Sequence, residues 1–370
     1  MKYIFLACLT IIPLSSFGMN FHYFGSMDAS RHTIKDEGNR KNVFYDEVTN
    51  NWSYSNRLTA GLNVSTQIDS SSQALVQFLH NQDERSIGVD LLQYQKNLGN
   101  GFRIRAGKQR FGNYLFSEVI QVNALLPWVR APFEVYSKIV IRSFTGLSVE
   151  KSFGPFLLTV FGGDSEEGFK TGEFVEYEIS TRDFRGARLG LSGESYEAFI
   201  SYAAATVEVQ AVQDVETTTS GVFAESKLIF NLPSFETWSV GGKKRWNELS
   251  LLSEYVTFRS GDASNKSGDS AYGTLGYDLS EKLTSYLTYA TDFSKESYLS
   301  PSKQTSYTLG FNYKLNMNVV LKASASHVDF RQKRVSTPLS RFPTSTGYLG
   351  YTQTPEENFQ LFEAQVAFVF

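Results

Sequence analysis

Apolar and polar residues alternate with a period of two along most of this chain, most cleanly in its last stretch. In FQLFEAQVAFVF, residues 359–370, Phe362, Ala364, Val366, Phe368 and Phe370 share one parity, and Leu361, Glu363, Gln365 and Ala367 share the other. Successive side chains of a strand point to opposite faces, so the pattern predicts a strand whose two faces meet different surroundings. Residues 20–30 set Phe21, Tyr23, Gly25, Met27 and Ala29 against His22, Ser26 and Asp28. Residues 57–67 put Leu58, Ala60, Leu62 and Val64 on one side, and residues 102–108 put Phe102, Ile104 and Ala106 against Arg103 and Arg105. Residues 304–315 set Tyr307, Leu309, Phe311 and Tyr313 against Thr308, Gly310 and Asn312. Further strands are predicted at 73–81, 89–96, 142–151, 156–163, 184–191, 196–204, 237–245, 249–258, 271–279, 283–292 and 319–330.

Two kinds of connection separate these strands. Turns near residues 70, 99, 154, 194, 247, 281 and 317 span a few residues, whereas 31–52, 110–138, 163–183 and 331–358 are long. Short turns at one rim and long loops at the other are what a transmembrane antiparallel β-barrel requires, and the strand count must then be even. The expected fold is all-β, a barrel of about sixteen strands. Residues 206–236 are ambiguous, because 221–230 reads equally as a helix in a loop or as an extra strand. A soluble propeller would leave repeats of roughly 40–50 residues, and none is visible. A sandwich does not explain why the outward faces are so aromatic.

Composition agrees with dispersal of apolar residues by alternation. Aromatics make up 15% of the chain, with 30 Phe and 20 Tyr, yet no long apolar run follows the first 18 residues. Those residues begin with Lys2, continue as an apolar run from Tyr3 to Leu14 and close on Ser15, Ser16, Phe17 and Gly18, the layout of a secretory signal peptide (1–18). Its removal takes away Lys2, moving the formal charge from −3 to −4, and takes away Cys8, the single cysteine. Stability of residues 19–370 then rests on packing and backbone pairing rather than disulfides. The near-balanced charge gives no reason to expect nucleic acid as a partner.

Residues 110–138, RFGNYLFSEVIQVNALLPWVRAPFEVYSK, are too apolar for a loop in free solvent. Tyr114, Leu115, Phe116, Val119, Ile120, Leu125, Leu126, Trp128 and Phe133 need burial, and a barrel interior offers it. Pro127 and Pro132 stiffen the segment, and Trp128 and Tyr136 read as packing anchors. The layout resembles the sixteen-stranded general porins of Gram-negative bacteria, whose third loop folds into the channel. The runs RAGKQRFGNYLFSE and PWVRAPFEVYSK are similar to one group of proteobacterial porin-like proteins, which has a second proline where Ala131 stands here. The resemblance implies a water-filled pore for passive diffusion of small hydrophilic solutes, narrowed where loop acids face wall bases. Glu118 and Glu134, with Arg130 beside them, would face Arg57, Arg103 and Arg105, with Arg110 at the rim. It also implies a homotrimer in the outer membrane, in contact with lipid and lipopolysaccharide. Outer-membrane barrels characteristically end on an amphipathic strand with a terminal Phe read by the barrel-assembly machinery, a role implied for Phe362, Phe368 and Phe370.

Other inward charges are mixed: Arg188, Lys243, Arg245, Lys314 and Lys322 against Glu150, Glu197, Glu254 and Glu363. A slight anion lean from Arg57, Arg103 and Arg105 is the most they support, and an anion-selective channel using Arg103, Arg105 and Arg110 is the alternative. Another is a barrel whose long loops, 331–358 among them, serve adhesion or phage attachment. Catalysis is not expected. His22, His32, His80 and His327 are scattered, and no metal-ligand spacing, phosphate-cradling loop or nucleophile elbow is present. His327 and Asp329 share a parity opposite to Ser324 and Ser326, so these groups cannot meet on one face. No cofactor or metal is expected.

Overall fold

The computed structural model describes residues 18–33, 51–54, 58–81, 86–137, 141–171, 175–216, 223–260, 266–293, 302–332 and 357–370. Sixteen long strands form it: β1 Met19–His32, β2 Thr59–Asp69, β3 Ser72–Asn81, β4 Ser86–Gly99, β5 Phe102–Arg110, β6 Ser143–Phe153, β7 Phe156–Thr171 and β8 Val175–Ser192. The second half holds β9 Tyr196–Glu216, β10 Phe223–Trp246, β11 Leu249–Ser260, β12 Lys266–Asp278, β13 Leu283–Asp292, β14 Ser302–Lys314, β15 Val319–Gln332 and β16 Glu357–Val369. Each pairs antiparallel with its neighbours in sequence, and the two-residue strand Ser53–Tyr54 adds to β1 beyond the end of β2.

The ring closes where β16 meets β1, from Phe24↔Val369 to His32↔Leu361, while β1 pairs on its other side with β2 from Met19↔Thr66 to Ser26↔Thr59. Closure leaves no unpaired edge, which a barrel crossing a membrane needs because lipid cannot hydrogen-bond a free backbone. Among the described residues no helix is long and apolar enough to cross a membrane. The turn between β4 and β5 has positive φ at Gly99, Asn100 and Gly101, and a side chain on Gly101 would meet the carbonyl oxygen of Ser152 at 2.6 Å.

The two strand faces differ as the alternation predicts. One parity exposes Met27, Leu147, Val160, Ile200, Trp238, Val240, Leu275, Leu287, Tyr307, Leu309 and Val366. The other buries Ser26, Asp28, Ser148, Ser201, Ser239, Thr274, Thr288 and Glu363. In a closed ring the occluded face is the inner one, so the wall is apolar outside and largely polar inside, the arrangement of a transmembrane barrel in lipid. An exposed apolar belt of this extent would not be stable against water.

Two expectations are corrected. Residues 163–183 are not a long polar loop: β7 and β8 continue as a paired hairpin from Ser165↔Thr181 to Thr171↔Val175. The described residues of 206–236 hold neither a helix nor an extra crossing strand, because β9 and β10 run on together to Glu216↔Phe223, with a register shift between Ala205 and Val207. In both hairpins polar residues fall on both parities, as at Glu166 and Glu167 or Gln213 and Asp214. Alternation runs through part of these extensions, with Val175, Tyr177 and Ile179 set against Glu176 and Glu178, and Val207, Val209 and Ala211 against Glu208 and Gln210, until the polar pairs interrupt it. The segment 1–17 read as most of a signal peptide, and most of the loops 31–52 and 331–358, lie outside the described residues.

Candidate functional site

Between β5 and β6, residues 111–137 carry only short turns of helix, at Ser117–Val119, Asn123–Leu125 and Phe133–Tyr136. A buried backbone without its own ladder must find hydrogen bonds elsewhere, and the wall supplies them. Ser201 and Ser239 donate their hydroxyls to the Asn113 carbonyl, and Arg188 donates to the carbonyls of Gly112 and Tyr114. The Leu115 amide donates to Glu254 Oε1 (3.1 Å), and the Tyr136 hydroxyl donates to its Oε2 (3.2 Å). Asn312 donates to the Pro127 carbonyl (2.7 Å). Lys322 Nζ donates to the carbonyls of Asn123, Leu126 (2.6 Å) and Trp128 (3.1 Å). Asn123 reaches Ser26 on β1. These partners stand on the occluded parity of β1, β8–β11, β14 and β15.

Trp128 is the centre of the packing. It is 1% exposed, with Phe116 and Tyr272 edge-on at 5.2 Å between ring centroids. Its indole N–H lies 3.0 Å from the hydroxyls of both Thr274 and Thr288. Buried indoles are costly unless the N–H is paired, so two neighbouring threonines on β12 and β13 define one seat for this ring. Tyr114, Phe116, Leu126 and Val135 join it in a single apolar cluster with Leu252, Val256, Tyr272, Tyr286 and Ala290 of the wall.

The proposed pore residues do not form one ring of opposed charge. Arg103 and Arg105 both pair with Glu150 on β6, the former at 3.4 Å, and Arg105 also lies 3.8 Å from Glu118. That contact does set a loop acid against a wall base. Arg110 pairs with Asp90 of β4. Arg130 donates Nε to Glu363 at 2.9 Å, the reverse polarity, with the base on the loop and the acid on the wall. Glu134 is buried and accepts from Gln304 Nε2 at 2.9 Å. Arg57 lies outside the described residues. At the closing strand Phe362 faces outward, Phe368 and Phe370 have ring centroids 5.8 Å apart, and the backbones of Phe370 and Tyr23 exchange two hydrogen bonds. His327 meets Gln360 at 2.9 Å, while Ser324 and Ser326 are buried on the opposite face.

Burial pushes the Glu134 carboxyl above the usual carboxylate range, against the opposing hydrogen bond from Gln304, and the charge of Asp292 adds to the rise. A raised acid keeps its proton in the folded state at pH values where the unfolded chain, at about 4.3, has lost it. Folding then releases less stability as pH rises through that window and levels off once the folded group has ionised. Glu134→Gln should remove this decline. Melting of the detergent-solubilised barrel, followed by circular dichroism from pH 4 to 8, should show a smaller fall for the variant than for the parent.

Solved structures of similar shape include porins and other outer-membrane proteins. An anion-selective porin from Comamonas acidovorans matches with a TM-score of 0.61 at 11% identity, covering 95% of this chain and 99% of that one. The outer membrane channel DcaP of Acinetobacter baumannii gives 0.55 at 12% identity over 95% and 97%. A trimer form of OmpT, an outer membrane protein of Vibrio cholerae, gives 0.56 at 12% over 95% and 100%. At such identities the likeness establishes the fold. No family model and no curated protein matches the sequence.

Proposed function

We propose that the chain is an outer-membrane porin of a Gram-negative cell: a water-filled channel for passive diffusion of small hydrophilic solutes, narrowed by residues 110–138 folded into the lumen. The observation that carries this reading is the set of hydrogen bonds from one short segment to inward side chains on strands around much of a closed ring, from Ser26 through Ser201 and Glu254 to Lys322. Bonds of this kind to the occluded parity support a segment lying across the inside. The similar solved channels support the same reading, and the trimer form among them supports a homotrimer embedded in lipid and lipopolysaccharide. Phe362, Phe368 and Phe370 are the residues offered to the assembly machinery, and residues 1–18 the signal for export.

Each arginine suggested for an anion site has an acid beside it. Arg103 and Arg105 face Glu150 and Glu118, and Arg110 faces Asp90. Paired charges cancel at the distance of a passing ion, so ion preference should be slight. Proteoliposomes containing the protein should swell in small uncharged solutes at rates that fall with solute size; failure to swell in any of them would contradict the channel. The reversal potential across a salt gradient should lie near zero. Arg103→Gln with Arg105→Gln leaves Glu118 and Glu150 unopposed and should move it toward cation preference.

A further inference from the structure

Resting on the channel reading, we infer that the open side of the lumen is built for uncharged, hydroxyl-rich solutes of the sugar and polyol class. The wall bonds of residues 111–137 fall on β1 and on β8–β16, and among the described residues none falls on β2, β3 or β4. On those strands Ser65, Gln77, Leu79 and Leu91 are buried, whereas the inward amides nearer the β2–β3 and β4–β5 turns, Gln67, Gln73, Gln93 and Gln95, are partly or fully exposed. Gln67, Gln73 and Gln95 are successive cross-strand partners, and the row continues to Arg105. Asn63 pairs with Gln77 two positions along, and Gln93 stands opposite Gly107, which adds no side chain.

The inward positions within 59–67, 73–79 and 91–97 carry no charge. Adjacent strands lie about 4.8 Å apart, so Gln67, Gln73 and Gln95 form a continuous strip, while Leu75 stands between Ser65 and Gln93 in the next inward row. Gln73, Gln93 and Gln95 are partly exposed, and among the described residues none of them has a side-chain hydrogen bond to the wall. By contrast Gln109, on the adjoining β5, is fully engaged: Nε2 with the Gly146 carbonyl and Oε1 with the Ser148 hydroxyl. The strip is therefore presented outward from the wall rather than used to hold it together.

An amide offers a donor and an acceptor at once, which matches a hydroxyl group. An ion entering this strip would lose part of its hydration and meet no opposite charge. A polyol exchanges its water hydrogen bonds for amide ones at little cost. The nearest charges, Arg103 and Arg105, are already occupied by Glu150 and Glu118. The chemistry favours neutral hydrogen-bonding solutes over ions of either sign.

The test compares trisaccharide influx into proteoliposomes with potassium chloride conductance in planar bilayers, for the full chain and for Gln73→Met with Gln93→Met and Gln95→Met. Methionine keeps the side-chain length and removes the hydrogen bonds. The ratio of sugar influx to salt conductance should fall about tenfold, as expected for loss of a few modest hydrogen bonds. An unchanged ratio would overturn the inference while leaving the channel standing. Absence of salt conductance from the folded parent would overturn the channel reading and this inference with it. The milder set Gln73→Asn, Gln93→Asn and Gln95→Asn keeps the wall polar and secures folding. It withdraws each amide by one methylene and should lower the ratio by an intermediate factor, and no change there counts against the inference equally.

Discussion

Trp128→Ala should give a channel with larger and noisier single-channel current than the parent. The ring is 1% exposed, is flanked edge-on by Phe116 and Tyr272, and donates to a pair of threonines. Truncating a buried tryptophan typically costs about 3–5 kcal/mol. Here the loss falls on the docking of residues 111–137 rather than on the barrel, whose strand ladders do not pass through this residue. The segment keeps its bonds to Ser201, Glu254 and Lys322, so it should loosen without leaving. Bilayer recordings check the current. Heat-modifiable migration on gels checks that the barrel survives, and an unchanged current from such a barrel would show that the ring does not hold the segment.

A larger disruption is expected from Lys322→Glu. The parent side chain is 3% exposed, and its ammonium is shared among three carbonyl oxygens of the segment. A carboxylate in its place would face those oxygens with like polarity, and its lateral row, Asn312, Gln365 and Asp28, offers no compensating cation. Placing an uncompensated charge at a buried site costs about 3–5 kcal/mol, so the segment between Asn123 and Trp128 should detach. Conductance should rise beyond that of Trp128→Ala, and limited proteolysis should cut within residues 120–130. Lys322→Met, which removes the bonds without adding charge, should fall between parent and Lys322→Glu in both measurements.

The barrel was legible because two solvents act on every strand. Lipid outside and polar groups inside enforce a period of two wherever the wall crosses the membrane, so Phe102, Ile104 and Ala106 separate cleanly from Arg103 and Arg105. In the extended hairpins of β7–β8 and β9–β10 the alternation is present at Val175, Tyr177 and Ile179 and at Val207, Val209 and Ala211, but polar pairs such as Glu166 with Glu167 and Gln213 with Asp214 interrupt it, so the length of these strands is hard to bound from period alone. Inward charges such as Lys322, Glu254 and Glu363 were also readable from parity. Their roles were not, because each acts on a segment more than 100 residues away that only closure of the ring brings into reach. One signal did point there: a segment with two prolines and many apolar side chains has backbone carbonyls that some wall donor must satisfy. The sequence sets the loop acids Glu118 and Glu134 against wall bases, with Arg130 beside them and Arg110 at the rim, and among the described residues Glu118 lies beside Arg105. At Arg130 and Glu363 the signs are exchanged, and Glu134 takes an amide partner instead.

The central claim is a water-filled passage narrowed by residues 110–138, and single-channel recording in planar bilayers tests it most directly. Purified, heat-modifiable barrel should open stable conducting steps in potassium chloride, and Trp128→Ala recorded beside it should give larger ones. Silence from a correctly folded barrel would contradict the account.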